Sequence, residues 1–396
     1  MSRSQAIPRT GRAEPVGDPF TYDLWLIGIA AVILALGLVM MCSASTSVAE
    51  ATAGSATYFL KRQVFALALA LGVGLTITRL PIRVWEEISS LALVLSIGLL
   101  VLVLVEGVGH EVKGSRRWIT LGPAALQASE PAKLGVIVYL AGYLTRHQTQ
   151  VASEFLGFIK PIGVLTLVSA LLLLEPDFGS SAVIFATGFG MLFLGGVPLV
   201  RFTAWALTAF ATLLCVAALA PYRLTRLIAF LDPWSQRFDS GFQLTQALIA
   251  FGRGEWFGVG LGSGIQKLFY LPEAHTDFVF AVIGEELGLI GTLAVITLYT
   301  LLVWRILFIA SHARRRHAVF AAHLAYGVAL LIGIQAYVNM GVAMGVLPTK
   351  GLTLPLVSYG NNSLLVTIAA LALVLRVGHE LAGDSPASAR KGGDDD

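Results

Sequence analysis

The stretch FYLPEAHTDFVFAVIGEELG, residues 269–288, sets four carboxylates and an imidazole against an apolar run. Its first half carries Glu273, His275 and Asp277, and its second half carries the adjacent pair Glu285 and Glu286. A carboxylate at the edge of an apolar segment suits proton abstraction from a hydroxyl, and ionisable side chains at membrane depth are costly enough to mark function by default. Three further places qualify. Glu130 and Lys133 in QASEPAKLG are three residues apart, a spacing that puts both on one helix face and lets them pair. Glu175 and Asp177 sit in EPDFGSS, a very short outer turn, and Lys350 follows Pro348 ahead of the last apolar run. Each group has a plainer alternative. Glu130 and Lys133 could be a structural ion pair, Asp177 a helix N-cap, Glu285 and Glu286 hydrogen-bonded to neighbouring helices, and His275 a loop-ordering group. Asp277 stands apart, because an acid, a membrane boundary and flanking cations able to hold an anionic leaving group coincide there.

Membrane helices must position these groups. Of 396 residues, 56% are hydrophobic and 13% charged, against roughly a quarter charged in soluble domains. Apolar runs near the ~20 residues that a helix needs to cross a bilayer recur along the chain. The fold class is therefore an all-α polytopic membrane protein. Ten spans are expected, at 24–44, 59–78, 88–106, 130–146, 159–174, 179–197, 200–220, 278–309, 318–345 and 357–378. A polar tail, 1–23, precedes an uncleaved first span, and a polar, disordered tail follows at 379–396. Arg79, Arg83, Arg146, Lys160, Arg201, Arg305 and the run Arg314, Arg315, Arg316 fall on the same side as Arg3, Arg9 and Arg12, which puts both termini in the cytoplasm.

The outer face then holds two long connections, 107–129 and 221–277, and both are basic. One has Lys113, Arg116 and Arg117; the other has Arg223, Arg226, Arg237, Arg253 and Lys267. Such a face suits an anionic ligand. The 221–277 connection reads as a large structured loop, with an N-cap-like Asp232 and a helical pattern over FQLTQALIAF. Its GVGLGSG run lacks the strand–helix context of a nucleotide site, so its glycines serve tight turns and close backbone approach. The net charge of +3 does not point to nucleic acid, and no run has metal-ligand spacing. Cys42 and Cys215 lie in apolar segments and read as small hydrophobes rather than a disulfide.

The segments QKLFYLPEAHTDFVFAVIGEELG, GSRRWI, QASEPAK, EPDFGSS and LPTKGLTLPLVSYG, taken in order over about 20–378, resemble the SEDS family (shape, elongation, division and sporulation). LPTKGLTLPLVSYG and IQKLFYLPEAHTDF resemble its division branch more than its elongation branch. The resemblance implies ten spans, both ends cytoplasmic, and polymerisation of lipid II, the undecaprenyl-pyrophosphate-linked disaccharide pentapeptide, on the outer face of the inner membrane at the division septum. The family's essential aspartate maps onto Asp277, its cavity pair onto Glu130 and Lys133, and the aspartate of its short turn onto Asp177. Departures occur at Ala128, Gly284, Asn361 and Asn362, where proline, alanine and a Gly-Ser pair are usual; none touches the acidic set. The partners implied are a class B penicillin-binding transpeptidase of the FtsI type and the divisome regulators FtsQ, FtsL, FtsB and FtsN.

The chemistry this permits is an inverting displacement. Asp277 would take the proton from the 4-hydroxyl of the acceptor GlcNAc while the lipid pyrophosphate leaves from the donor's anomeric carbon. Candidates to hold the pyrophosphate are Arg116, Arg117, Lys133, Arg253, Lys267 and Lys350, with His275 beside them, and the chemistry leaves room for a divalent cation such as magnesium or manganese. Rival readings are a lipid II flippase, an elongation-type polymerase, and a scaffold that recruits division proteins.

Overall fold

The computed structural model describes residues 22–112, 115–122, 124–218, 230–348 and 351–383. Helices occupy all ten expected intervals: α1 (Leu24–Ala53), α2 (Tyr58–Arg79), α4 (Ser89–Leu104), α5 (Ser129–Arg146), α7 (Phe155–Leu174), α8 (Phe178–Leu194), α9 (Leu199–Ala218), α11 (Val279–Arg315), α12 (Val319–Ala343) and α13 (Asn361–Gly383). Short helices α3 (Ile82–Glu87) and α6 (Gln148–Ser153) lie in connections, and α10 (Phe242–Gly254) forms where FQLTQALIAF predicted it. Among the described residues, six helices are long and apolar enough to cross a membrane, α1, α2, α7, α11, α12 and α13, while α4 and α8 are shorter apolar helices. The protein is a multi-pass membrane protein.

Several bounds differ from the hydropathy reading, each for a local reason. Asp23 caps α1 by accepting from Leu26 N (3.0 Å), and the helix runs through small residues to Gly54, whose φ of 63° ends it. Residues 357–360 belong to a turn rather than to the last span, because Leu356 sits at φ 67° and the helix begins only at Asn361. That helix continues to Gly383, so 379–383 is helical rather than tail. The remainder of both expected tails lies outside the described residues, as do Lys113, Arg223, Arg226 and Lys350.

The helical class holds, with one addition. The connection 107–129 folds as a three-stranded antiparallel sheet of β1 (Gly109–Val112), β2 (Ser115–Leu121) and β3 (Ala124–Gln127). Trp118 faces Gln127 and Gly109 faces Ile119 across the two pairings. Behind it, α12 packs on α5, α8, α11 and α13, and forms the most enclosed part of the bundle.

The outer loop returns to the bundle by entering a break in α11. At Gly288 (φ 66°, ψ −161°) the helix opens, and its freed backbone groups are taken by the loop. Val259 N and Gly260 N donate to the carbonyls of Glu285 and Glu286 (3.0 and 3.1 Å); Leu289 N and Ile290 N donate to those of Glu255 and Trp256 (2.8 and 3.2 Å). A Cβ on residue 288 would lie 2.4 Å from Gly258 N, so only glycine admits the contact. Non-helical backbone at membrane depth is tolerated when every polar group is satisfied in this way.

Two buried carboxylates complete the seam. Glu285 accepts from Ile265 N (2.9 Å) and Gln266 N (3.1 Å), with Arg253 at 3.6 Å. Glu286 accepts from Gly262 N (2.9 Å), Ser43 Oγ (2.8 Å) and Lys267 Nζ (2.6 Å). Lys267→Met leaves the Glu286 carboxylate buried without its cation, and the folded state should lose about 3–5 kcal/mol. A thermal midpoint in detergent should fall by several degrees, with partial recovery in Lys267→Met combined with Glu286→Gln.

Candidate functional site

A cavity of about 1280 Å³ is lined by α2, the sheet, the first turns of α5, α8 and α13, and the two loops that flank Asp277. Asp277 is half-buried and lines it. The backbone leading to it is clamped: three successive carbonyls, those of His275, Thr276 and Asp277, accept from Tyr359 N (2.9 Å), Ser358 Oγ and Asn339 Nδ2 (2.8 Å) respectively. Glu273, which also lines the cavity, accepts from Thr276 Oγ1 (2.8 Å) and turns the chain at φ 56°. Opposite, a Cβ on Gly351 would lie 3.0 Å from Asp277 Oδ2, so the backbone there comes close to the carboxylate and any side chain would crowd it.

Glu130 reaches the same cavity from the start of α5. It pairs with Lys133 at 2.8 Å, both buried, and Lys133 Nζ also donates to Gln335 Oε1 (3.1 Å). Arg117 and Trp118 line the cavity from β2. The expected group therefore converges in part: Asp277, Glu130 and Arg117 line one space, and Lys133 sits one bond behind it.

Other expected site residues lie elsewhere. Asp177 is buried and caps α8, accepting from Ser180 N (3.1 Å) and Ser180 Oγ (2.8 Å), and meets Arg117 at 3.9 Å. It does not line the cavity; it helps to hold a residue that does. Arg253 and Lys267 are committed to Glu285 and Glu286 and are not cavity residues. Arg116 lies 3.8 Å from Glu106, also away from the cavity. The His275 ring is buried with Phe59 (4.9 Å) and Tyr359 (5.8 Å) beside it, which is the loop-ordering role.

In place of the lost cations the cavity has Lys61 and Arg62, in the first turn of α2. Sequence reasoning missed both, although two adjacent cations at the outer start of a span, in YFLKRQ, were the signal. It also missed Gln335 and Asn339, amides four residues apart in an otherwise apolar helix. Asn361 and Asn362 line the cavity as well, and Asn362 Nδ2 ties the last helix to the sheet through Ala125 O (2.9 Å). Among the described residues no three His, Cys, Asp or Glu side chains converge to hold a metal ion.

The cell cycle protein family of FtsW, RodA and SpoVE matches over residues 23–383, which takes in every element of the site. This chain belongs to that family. It is 53% identical over 355 residues to a protein of Nitrosococcus halophilus named probable peptidoglycan glycosyltransferase FtsW, covering 90% of this chain and 92% of the relative. A protein of the same name from Hahella chejuensis is 49% identical over 379 residues, covering 94% and 96%. Among solved structures, a chain of a peptidoglycan synthase complex, described as coordinating polymerization and crosslinking, superposes with TM-score 0.75 at 34% identity, covering 91% of this chain and 99% of its own. The rod shape determining protein RodA of Thermus thermophilus gives 0.68 at 31% identity, covering 91% and 97%. The SEDS resemblance read from the motifs is thus met across the whole fold.

One acid of this family member remains. Glu175, in the turn between α7 and α8, is buried with neither carboxyl oxygen hydrogen-bonded, while Ser115 Oγ (2.9 Å) and Arg117 Nε (3.2 Å) donate to its carbonyl. Burial, then the charge of Asp177, pushes its pKa up to about 8 against the opposing pull of Arg117. The folded chain keeps a proton that the unfolded chain releases near pH 4.5, so this site's contribution is full below that pH and is lost as pH rises to about 8. Glu175→Gln imitates the protonated form. Its thermal midpoint should exceed the parent's at pH 8, match it near pH 4.5, and fall less steeply between.

Proposed function

We propose that this chain is a division-type peptidoglycan glycosyltransferase that polymerises lipid II at the outer face of the inner membrane, with Asp277 as general base. The observation that carries the reading is a single cavity presenting a backbone-clamped carboxylate, cations and an apolar wall. On α2, Lys61 and Arg62 sit above Phe65 and Leu69, a stripe at helical spacing that descends about 12 Å over eight residues. A lipid pyrophosphate has this order of parts, an anion at the head and an isoprenoid below.

In the reaction, the Asp277 carboxylate accepts the proton of the acceptor GlcNAc 4-hydroxyl as its oxygen bonds to the donor's anomeric carbon. The bond from that carbon to the pyrophosphate oxygen breaks, and the departing undecaprenyl pyrophosphate carries the negative charge away, so the centre inverts from α to β. A positioned base is typically worth ~10²–10⁴-fold in rate. Lys61, Arg62 and Arg117 stabilise the developing anion, and Lys350 joins them on the motif's reading, since fixed cations act best where charge appears. Among the described residues three carboxylates line the cavity and no three metal-ligating side chains converge, and each step above is assigned to side chains.

The family context extends the reading. The termini lie in the cytoplasm, the ten helices each span the membrane, and the protein works at the septum with an FtsI-type transpeptidase under FtsQ, FtsL, FtsB and FtsN. The kinship with a chain of a polymerising and crosslinking complex supports the transpeptidase partner.

The test is reconstitution with labelled lipid II, with and without the cognate transpeptidase. The native chain should make glycan polymer, more of it with the partner present. Asp277→Asn should reduce the rate at least ~100-fold with an unchanged thermal midpoint. Near-native polymer from that variant would overturn the assignment of the base.

A further inference from the structure

The nearly enclosed helix α12 meets the cavity at Gln335, and two of its buried residues are amides, Gln335 and Asn339, four apart and so on one face. Asn339 is 2% exposed and does not line the cavity. Its Nδ2 donates to Asp277 O (2.8 Å) and to Leu352 O. Gln335 accepts from Lys133 Nζ (3.1 Å) and donates from Nε2 to Thr353 O (3.0 Å). The orientation of both amides is fixed by their partners, because backbone carbonyls only accept and an ammonium only donates. One face of α12 therefore fastens two successive carbonyls, 352 and 353, of the segment that flanks Asp277. The lower amide ends on the buried Glu130–Lys133 pair and the upper on the Asp277 backbone.

We infer that Asn339 is a positioning residue for Asp277, and that Gln335 extends its reach by joining the Glu130–Lys133 pair to the same segment. The inference rests on the reading of Asp277 as the base. It gives the ion pair a part in the reaction that needs no contact with substrate. Lys133 holds Gln335, Gln335 holds Thr353, and the segment 352–353, fixed at both carbonyls, carries Gly351 close to the carboxylate.

The asparagine supplies one amide nitrogen to two carbonyls, one on each of the segments that meet at the site. Asn339 Oδ1 is buried and has no hydrogen-bond partner among the described residues. A leucine would remove that orphaned oxygen, but it would also strip the carbonyls of Asp277 and Leu352 of their donor. A residue that breaks the local rule for stability is expected where function requires it. Because the side chain is sealed from the cavity, it can act on the reaction only through the backbone it holds.

The experiment compares native protein, Asn339→Leu, Gln335→Met and their combination, each with the cognate transpeptidase, for kcat and KM on lipid II and for thermal midpoint. Native polymer formation and its loss in Asp277→Asn are established first, so that failure of the base assignment is seen separately. Asn339→Leu should lower kcat about 10- to 100-fold, since a displacement near 1 Å can cost about 10²-fold. Its KM should stay within about twofold, because uniform binding is untouched, and its midpoint should fall modestly, the cost of two carbonyls left without a donor, with the assay run well below it. Gln335→Met, which leaves Asn339 in place, should lower kcat less. The double variant should fall short of the product of the two losses, as for residues acting on one segment. The inference is overturned if Asn339→Leu keeps its kcat, if its loss appears in KM, or if kcat falls only in step with the midpoint. A double variant that equals the product separates Gln335 from the mechanism and confines positioning to Asn339.

Discussion

Asp277 is held in place by its main chain. Three consecutive carbonyls ending at Asp277 are each bonded by a neutral donor, and all three donors come from the segment 358–359 or from α12 beside it. The clamp is itself rigid. Ser358 Oγ also accepts from Leu354 N (2.8 Å), the Tyr299 hydroxyl donates to Pro355 O, and Leu352, Leu354, Leu356 and Val357 are buried in the bundle. Apolar packing thereby sets the position of a polar group without placing apolar atoms on it. A base fixed in this way needs no reorganisation when substrate arrives, which is what makes electrostatic preorganisation effective.

The carboxylates of this chain diverge according to their surroundings. Glu285 and Glu286 are consumed by backbone N–H groups and cations of the returning loop, so their charge is spent on closing a break in a helix. Glu130 is neutralised by Lys133, and Asp177 caps a helix. Burial, and then the charge of Asp177, keeps Glu175 protonated until the pH nears about 8. Asp277 is half-buried on a cavity large enough for a saccharide, with Glu273 and Glu130 also on its wall. Chemical type is shared across the set; placement divides the acids spent on structure from those that face the cavity.

Placement is also what divides the legible from the illegible in the sequence. Hydropathy located a helix in every expected interval, since burial of an apolar run needs no knowledge of its neighbours. The motif residues Asp277 and Glu130 reached the cavity for the reason their spacing suggested. Arg253 and Lys267 did not, because a sequence reports a charge and conceals its partner; only the fold shows that Glu285 and Glu286 already claim them. The sheet was missed because strands of four and seven residues carry too little periodicity to stand out from a loop. Lys61 and Arg62 were overlooked at the lip of a span, and Gln335 and Asn339 because neutral amides leave no mark on a charge pattern. An amide pair at helical spacing inside an apolar helix is nonetheless a readable signal, since each buried polar group must find a partner.

The topology explains why these parts meet at one end. In an alternating bundle whose first helix begins in the cytoplasm, every second helix begins outside. The cavity is met by the first turns of α2 through Lys61 and Arg62, of α5 through Glu130, of α8 through Ser180 and of α13 through Asn361, and by Asp277 just ahead of α11. These are helix N-termini, whose positive dipole ends favour an anion, and at α8 the Asp177 cap already takes Ser180 N. An anionic ligand would therefore find positive potential from the backbone before any lysine or arginine is counted. A transporter would need comparable polarity along a path to the other face. Here the deeper acids, Glu285 and Glu286, are locked into a seam between loop and helix, while the cavity's ionic groups gather where the outward helices begin. That distribution favours chemistry at one membrane face over passage through it.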